Sequence, residues 1–235
     1  MKKHLKRTGI VLLVLVLAFL VYALPYYHAQ DLPAYDAEDV TVSYSTGLIT
    51  YDGPGEDRAL IFYPGAKVDE EAYGWMMEQL AENGIDCYLV HMPLHFAIFG
   101  KNKAQDIMEA HPEYEHWVMA GHSLGGAMAA SFAGSHADEV DGLVLLASYS
   151  TVPLENMKVL SVYGSLDGVL NRESYAKYRE NLPNDFTELA IEGGNHAGFA
   201  YYGDQKGDNP AEISKKEQQE QTVQAVLQCF ETMKE

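Results

Sequence analysis

Val118-Met119-Ala120-Gly121-His122-Ser123-Leu124-Gly125-Gly126 decides the fold. Residues 117–120 are an apolar run that reads as a short buried strand, and the small residues of 126–133 are compatible with a helix. Between them Gly121-His122-Ser123-Leu124-Gly125 fits the pattern G-x-S-x-G. A strand, a tight turn carrying Ser and a helix form the context of a nucleophile elbow. Such a turn strains the Ser backbone and needs glycines where a Cβ would strike the neighbouring strand or helix. It lifts the hydroxyl to the N-terminus of a helix, whose dipole favours developing negative charge.

The same reading extends along the chain. Residues 40–46 alternate apolar and polar as a half-exposed strand, with 47–51 as its hairpin partner. Residues 59–63, 85–92, 140–147 and 158–163 read as buried strands, and 186–191 as the last strand. Helical spacing is expected after an Asp69 N-cap, and over 103–110, 124–134, 171–181 and 211–233. Strands alternating with helices predict an α/β fold, with a mostly parallel sheet covered on both faces. No gap between elements is long enough for an inserted lid, so an open site is expected.

In such sheets functional groups collect at the carboxyl ends of strands. Asp167 follows the strand at 158–163, and His196 follows the strand at 186–191. The chain order Ser123, Asp167, His196 is the one this architecture uses for a hydroxyl nucleophile, its orienting carboxylate and its base. A Ser hydroxyl needs such a base at neutral pH. Glu192 is the reserve carboxylate. The tetrahedral oxyanion needs donors, expected from the Leu124 and Ala66 amides, with Lys67 as the fallback for Ala66. Tyr73, Met76, Phe96, Ile98, Phe99 and Phe199 are candidate walls of an acyl pocket, though each also suits the core. His91 ends a strand near the expected site, His95 lies in the loop after it, and His122 reads as a packing residue inside the elbow. No metal-ligand spacing, phosphate loop or dinucleotide fingerprint is present, so neither cofactor nor metal is expected.

These stretches resemble an α/β-hydrolase, and most closely the small lidless α/β-hydrolase family 5, related to the dienelactone hydrolases. The resemblance runs from about residue 58 to the C-terminus. It rests on Tyr63-Pro64-Gly65-Ala66-Lys67-Val68-Asp69, on Gly121 through Ala129, on Tyr163-Gly164-Ser165-Leu166-Asp167-Gly168, and on Gly193-Gly194-Asn195-His196-Ala197-Gly198-Phe199. It implies a Ser-Asp-His hydrolase. Dienelactone hydrolases use a Cys nucleophile, and Ser123 argues against their chemistry. The expected activity is a carboxylesterase on small esters. The alternatives are a lipase or phospholipase at a membrane surface and a non-catalytic binding module on the same scaffold.

The N-terminus reads differently. Lys2, Lys3, Lys6 and Arg7 precede an uncharged apolar run at 9–24, stopped by Pro25. The expectation is an uncleaved signal-anchor over 1–24, a linker over 25–39 and an extracytoplasmic hydrolase domain over 40–235, with secretion after cleavage as the alternative. The net charge of −18 argues against nucleic acid as a partner. Cys87 and Cys229 are expected as unpaired thiols in a chain large enough to need no staple.

Overall fold

The computed structural model describes residues 2–34, 37–55 and 57–231. Among the described residues eight strands form one sheet: β1 (Thr41–Ser45), β2 (Leu48–Asp52), β3 (Arg58–Tyr63), β4 (Asp86–Val90), β5 (His116–His122), β6 (Gly142–Leu146), β7 (Lys158–Gly164) and β8 (Thr187–Ile191). Their spatial order is β1-β2-β4-β3-β5-β6-β7-β8. The β1–β2 hairpin joins antiparallel to β4, and β4, β3, β5, β6, β7 and β8 run parallel. Six α-helices among the described residues accompany them: α1 (Lys2–Ala23), α2 (Gly74–Glu82), α3 (Lys103–Ala110), α4 (Leu124–Ser135), α5 (Arg172–Tyr178) and α6 (Lys215–Glu231). The expected α/β class is therefore correct, and among the described residues no lid domain interrupts it.

The period-2 geometry of the strands sorts their residues into two cores. Leu60, Phe62, Val118, Ala120, Val144, Leu146, Leu160 and Val162 face one side, against Met76, Met77 and Leu80 of α2 and Val223 and Val226 of α6. Ala59, Ile61, Trp117, Met119, Leu143, Leu145 and Val159 face the other, against Ile107 and Met108 of α3 and Ala129, Ala130, Phe132 and Ala133 of α4. Burial on both faces is why the central strands read as continuous apolar runs. β1, at an edge, is largely exposed, with Val42 half-buried and Tyr44 exposed.

α4 lies close to the sheet because its contact face is Gly and Ala. A Cβ on Gly125 would fall onto the carbonyl oxygens of Tyr63 and Pro64. Backbone cannot rotate away as a side chain can. Gly125→Ala is expected to lower unfolding stability by about 3 kcal/mol, at the severe end for one added methyl. Urea unfolding against the parent protein measures this.

Two expectations are corrected. The last helix was expected over 211–233 but begins at Lys215. The Glu212 amide is drawn back to the Gly193 carbonyl, and the Ser214 hydroxyl accepts from the Glu217 amide, which starts the helix there. Its expected end at 232–233 lies outside the described residues.

The membrane-anchored, extracytoplasmic placement is also not upheld. Among the described residues no helix is long and apolar enough to cross a membrane. The uncharged run at 9–24 is 24 − 9 + 1 = 16 residues, short of the ~20 a span needs. The end of α1 packs on the domain instead. Phe19 meets Phe96 and Phe99, Tyr22 meets Phe96, and Ala23 is buried. Residues beyond α1 also lie along the domain: Tyr27 bridges to Val68, and the Gln30 amide donates to the Tyr201 carbonyl. No disulfide joins Cys87 to Cys229.

Candidate active site

The parallel strands bring the loops after β3, β5, β6, β7 and β8 to one rim. At the end of β5, Ser123 has φ 54° and ψ −122°, a left-handed conformation that is strained for a residue with a Cβ. Hydrogen bonds hold it there. Its amide donates to the Leu146 carbonyl at 2.9 Å, and its carbonyl accepts from the Ser148 hydroxyl at 2.7 Å. A Cβ on Gly121 would stand 2.6 Å from the Gly125 carbonyl carbon, so the turn closes only with glycine there. Leu124 is the first residue of α4, and its N–H has no partner within the helix.

Asp167 follows β7 and His196 follows β8. His196 Nδ1 lies 2.9 Å from Asp167 Oδ2, and both side chains are buried. A carboxylate only accepts, so the shared proton sits on Nδ1 and leaves the Nε2 lone pair free. Asp167 Oδ1 accepts from the Val169 and Leu170 amides at 2.8 and 2.7 Å. Burial alone would push the Asp167 carboxyl up. The hydrogen bond and charge of His196, with the two amides, outweigh burial and hold it below the usual carboxylate range.

A second layer fixes these loops. Asp208 accepts from the Gly168 amide on one side and the Ala197 amide on the other, tying the Asp167 loop to the His196 loop. Asn209 donates to the Leu166 carbonyl and accepts from the Asn195 side chain. Gln218 of α6, fully buried, bonds both the amide and the carbonyl of Asn195.

His122 lies beneath the site. Its ring centroid is 4.5 Å from that of His196 and 5.6 Å from that of Phe199. Its Nδ1 is 2.8 Å from the Tyr73 hydroxyl, which itself accepts from the Gly65 amide at 3.0 Å. Burial, then repulsion from His196, holds His122 well below its ordinary value, so it is neutral at pH 7. The Tyr73 hydroxyl thus bridges the Gly65 amide and His122 Nδ1. The residue before the nucleophile thereby steadies the loop after β3. In that loop the Lys67 amide donates to the His95 carbonyl at 2.7 Å. Among the described residues the Ala66 amide alone of these three makes no hydrogen bond.

The structure thus brings Asp167 and His196 into direct contact and sets the Ser123 elbow beside them through His122. No hydrogen bond joins Ser123 Oγ to His196 among the described residues. Glu192 is exposed and stands apart from this pairing. Of the candidate pocket residues, Tyr73, Met76 and Phe199 are fully buried, Phe96 is half-buried, and Ile98 and Phe99 are exposed on the loop after β4. Asp208, Asn209 and Gln218 escaped the sequence reading because no motif spacing marks a clamp. The one available signal, for Asp208 and Asn209, was the polar segment at 203–209 that follows the apolar stretch after His196. A cavity of about 1140 Å³ opens at the other rim, among Trp117, Asp141 and Lys158 at the amino ends of their strands, and takes no part in this arrangement.

Comparison with known proteins agrees with this architecture. A family model described as the alpha/beta hydrolase family matches residues 59–220, well over half of the chain. No curated protein sequence matches it. Among solved structures, a dienelactone hydrolase from Anabaena variabilis aligns with TM-score 0.63 at 13% identity, covering 83% of this chain and 99% of its own. A monoacylglycerol lipase from Paleococcus ferrophilus aligns with TM-score 0.61 at 15% identity, covering 80% and 99%. Est1E from Butyrivibrio proteoclasticus aligns with TM-score 0.59 at 14% identity, covering 82% and 99%. At such identities the likeness is one of fold. With the strand order, the elbow and the family match in agreement, the chain belongs to the alpha/beta hydrolase family.

Proposed function

We propose that this hydrolase is a serine carboxylesterase acting on small esters. Ser123 Oγ attacks the ester carbonyl carbon while His196 Nε2 takes its proton. The tetrahedral oxyanion is received by the Leu124 and Ala66 amides. As the C–O bond of the ester breaks, His196 returns the proton to the departing alcohol. Water then attacks the acyl-enzyme, again giving its proton to His196, and the acid leaves as Ser123 is restored. Asp167 keeps the imidazole in the required tautomer and stabilises the imidazolium.

The observation that carries this reading is the buried Asp167–His196 hydrogen bond set beside a strained, loop-end serine. It leaves a basic nitrogen free, and a nucleophile–base contact tightens when substrate fills the site. The free Ala66 amide, between two amides already engaged, supports its assignment to the oxyanion. The solved structure of a monoacylglycerol lipase on this fold is consistent with ester chemistry.

The test is labelling of the full chain with a fluorophosphonate, followed by peptide mass spectrometry. The expected adduct is on Ser123, and none is expected in Ser123→Ala. Absence of any adduct, with no turnover of p-nitrophenyl acetate or butyrate, would identify a non-catalytic binding module. Turnover that rises with acyl length, above its value on butyrate, would instead identify a lipase.

A further inference from the structure

We propose that Glu70, His91 and His95 form a binding site for a divalent transition metal of the Zn²⁺ class, at the carboxyl ends of β3 and β4. Glu70 opens the 3₁₀ turn Glu70–Tyr73, which is capped by the Asp69 carboxylate. His91 directly follows β4, and His95 lies in the loop beyond it. One donor atom from each of the three lies within 4.8 Å of the other two.

The spacing suits a shared ion. His91 Nδ1 is 2.8 Å from Glu70 Oε1, and His95 Nδ1 is 3.9 Å from Glu70 Oε2. Ligands at ~2.0–2.1 Å in a tetrahedral site stand about 3.3 Å apart, a value these two separations bracket. His95 Nδ1 is buried and has no hydrogen-bond partner among the described residues. A buried ring nitrogen left unsatisfied is costly, and a cation would satisfy it. The ring is held in place: Tyr26 stacks on it at 3.8 Å between centroids.

The backbone is bent to the same end. Leu94 and His95 both take positive φ, 55° and 57°, a conformation that costs free energy for residues with side chains of this size. Two imidazoles and a single carboxylate suit Zn²⁺ and its neighbours rather than Ca²⁺ or Mg²⁺, which prefer oxygen. The His91 side chain is 43% exposed, giving an entry path and room for water as a fourth ligand. Sequence spacing gave no sign of the grouping, since Glu70 precedes His91 by 91 − 70 = 21 residues. Because the His95 carbonyl holds the Lys67 amide, the ion would also brace the loop that carries Ala66.

The experiment is calorimetric titration of the chelator-treated full chain with ZnCl₂ in a non-coordinating buffer. One site is expected. His95→Ala and Glu70→Gln should each weaken it by more than the roughly 10–100-fold that follows loss of a mere outer-shell partner. His111→Ala, which removes a half-buried histidine paired with Glu113, should leave it unchanged. No binding by the parent protein at millimolar metal, or equal affinity in all four proteins, would overturn the proposal. Should a variant fail to fold, Co²⁺ added to the parent decides. Visible absorption of a tetrahedral site supports the assignment, and its absence refutes it. None of these readings requires turnover, so they stand apart from the outcome at Ser123.

Discussion

Ser123→Ala is expected to lower kcat/KM for p-nitrophenyl butyrate by ~10⁴–10⁶-fold, the range over which a hydrolase loses its covalent route and keeps only binding and oxyanion stabilisation. At 1.36 kcal/mol per factor of ten this is about 5–8 kcal/mol of transition-state stabilisation. The substitution isolates chemistry from folding. Ala keeps the Cβ that makes φ 54° strained, and the backbone bonds to Leu146 and Ser148 do not involve the lost hydroxyl. Unfolding midpoints of the two proteins should therefore agree. His196→Ala should fall to the same floor, and the double variant no lower, because nucleophile and base act as one unit. Parent-like turnover by Ser123→Ala would remove Ser123 from the mechanism.

The parts of this site differ in how far they could be read from sequence, and the difference is physical. The strand-end positions of Ser123 and Asp167 were legible because β5 and β7 are buried and announce themselves as apolar runs. β8, before His196, is buried only at Ile191 and was legible as the next strand-length segment in the alternation. The elbow was legible because its glycines answer a steric demand, such as the approach of Gly125 to the Tyr63 and Pro64 carbonyls. His122 was rightly placed in the interior, but its bond to Tyr73 was not foreseeable. That contact spans 122 − 73 = 49 residues and depends on how the turn after β3 sits under β5. Asp208 and Gln218 act through loop amides, which any sequence offers, so nothing in their neighbours distinguishes them. The N-terminus misled for a related reason. Its apolar run carries no information about whether lipid or the aromatic loop at Phe96 and Phe99 meets its end.

Asp167→Asn should reduce kcat by ~10³–10⁴-fold at neutral pH while leaving the fold in place, through the proton on His196. Asp167 Oδ1 is held by the Val169 and Leu170 amides at 2.8 and 2.7 Å. In the variant the amide oxygen of Asn keeps those two donors, so its NH₂ must occupy the position of Oδ2 and face His196 Nδ1. An NH₂ only donates, which forces the imidazole proton from Nδ1 to Nε2 and removes the base that Ser123 requires. Stability should change with a definite sign as well. The Asp167 carboxyl is held below its unfolded value, so its contribution is complete above the ordinary ~3.9 and is lost as pH falls through the lower folded value. The urea midpoints of parent and variant should therefore differ most near neutrality and converge in acid. A variant that keeps parent kcat, or a midpoint difference that grows on acidification, would separate Asp167 from the role its hydrogen bond to His196 gives it.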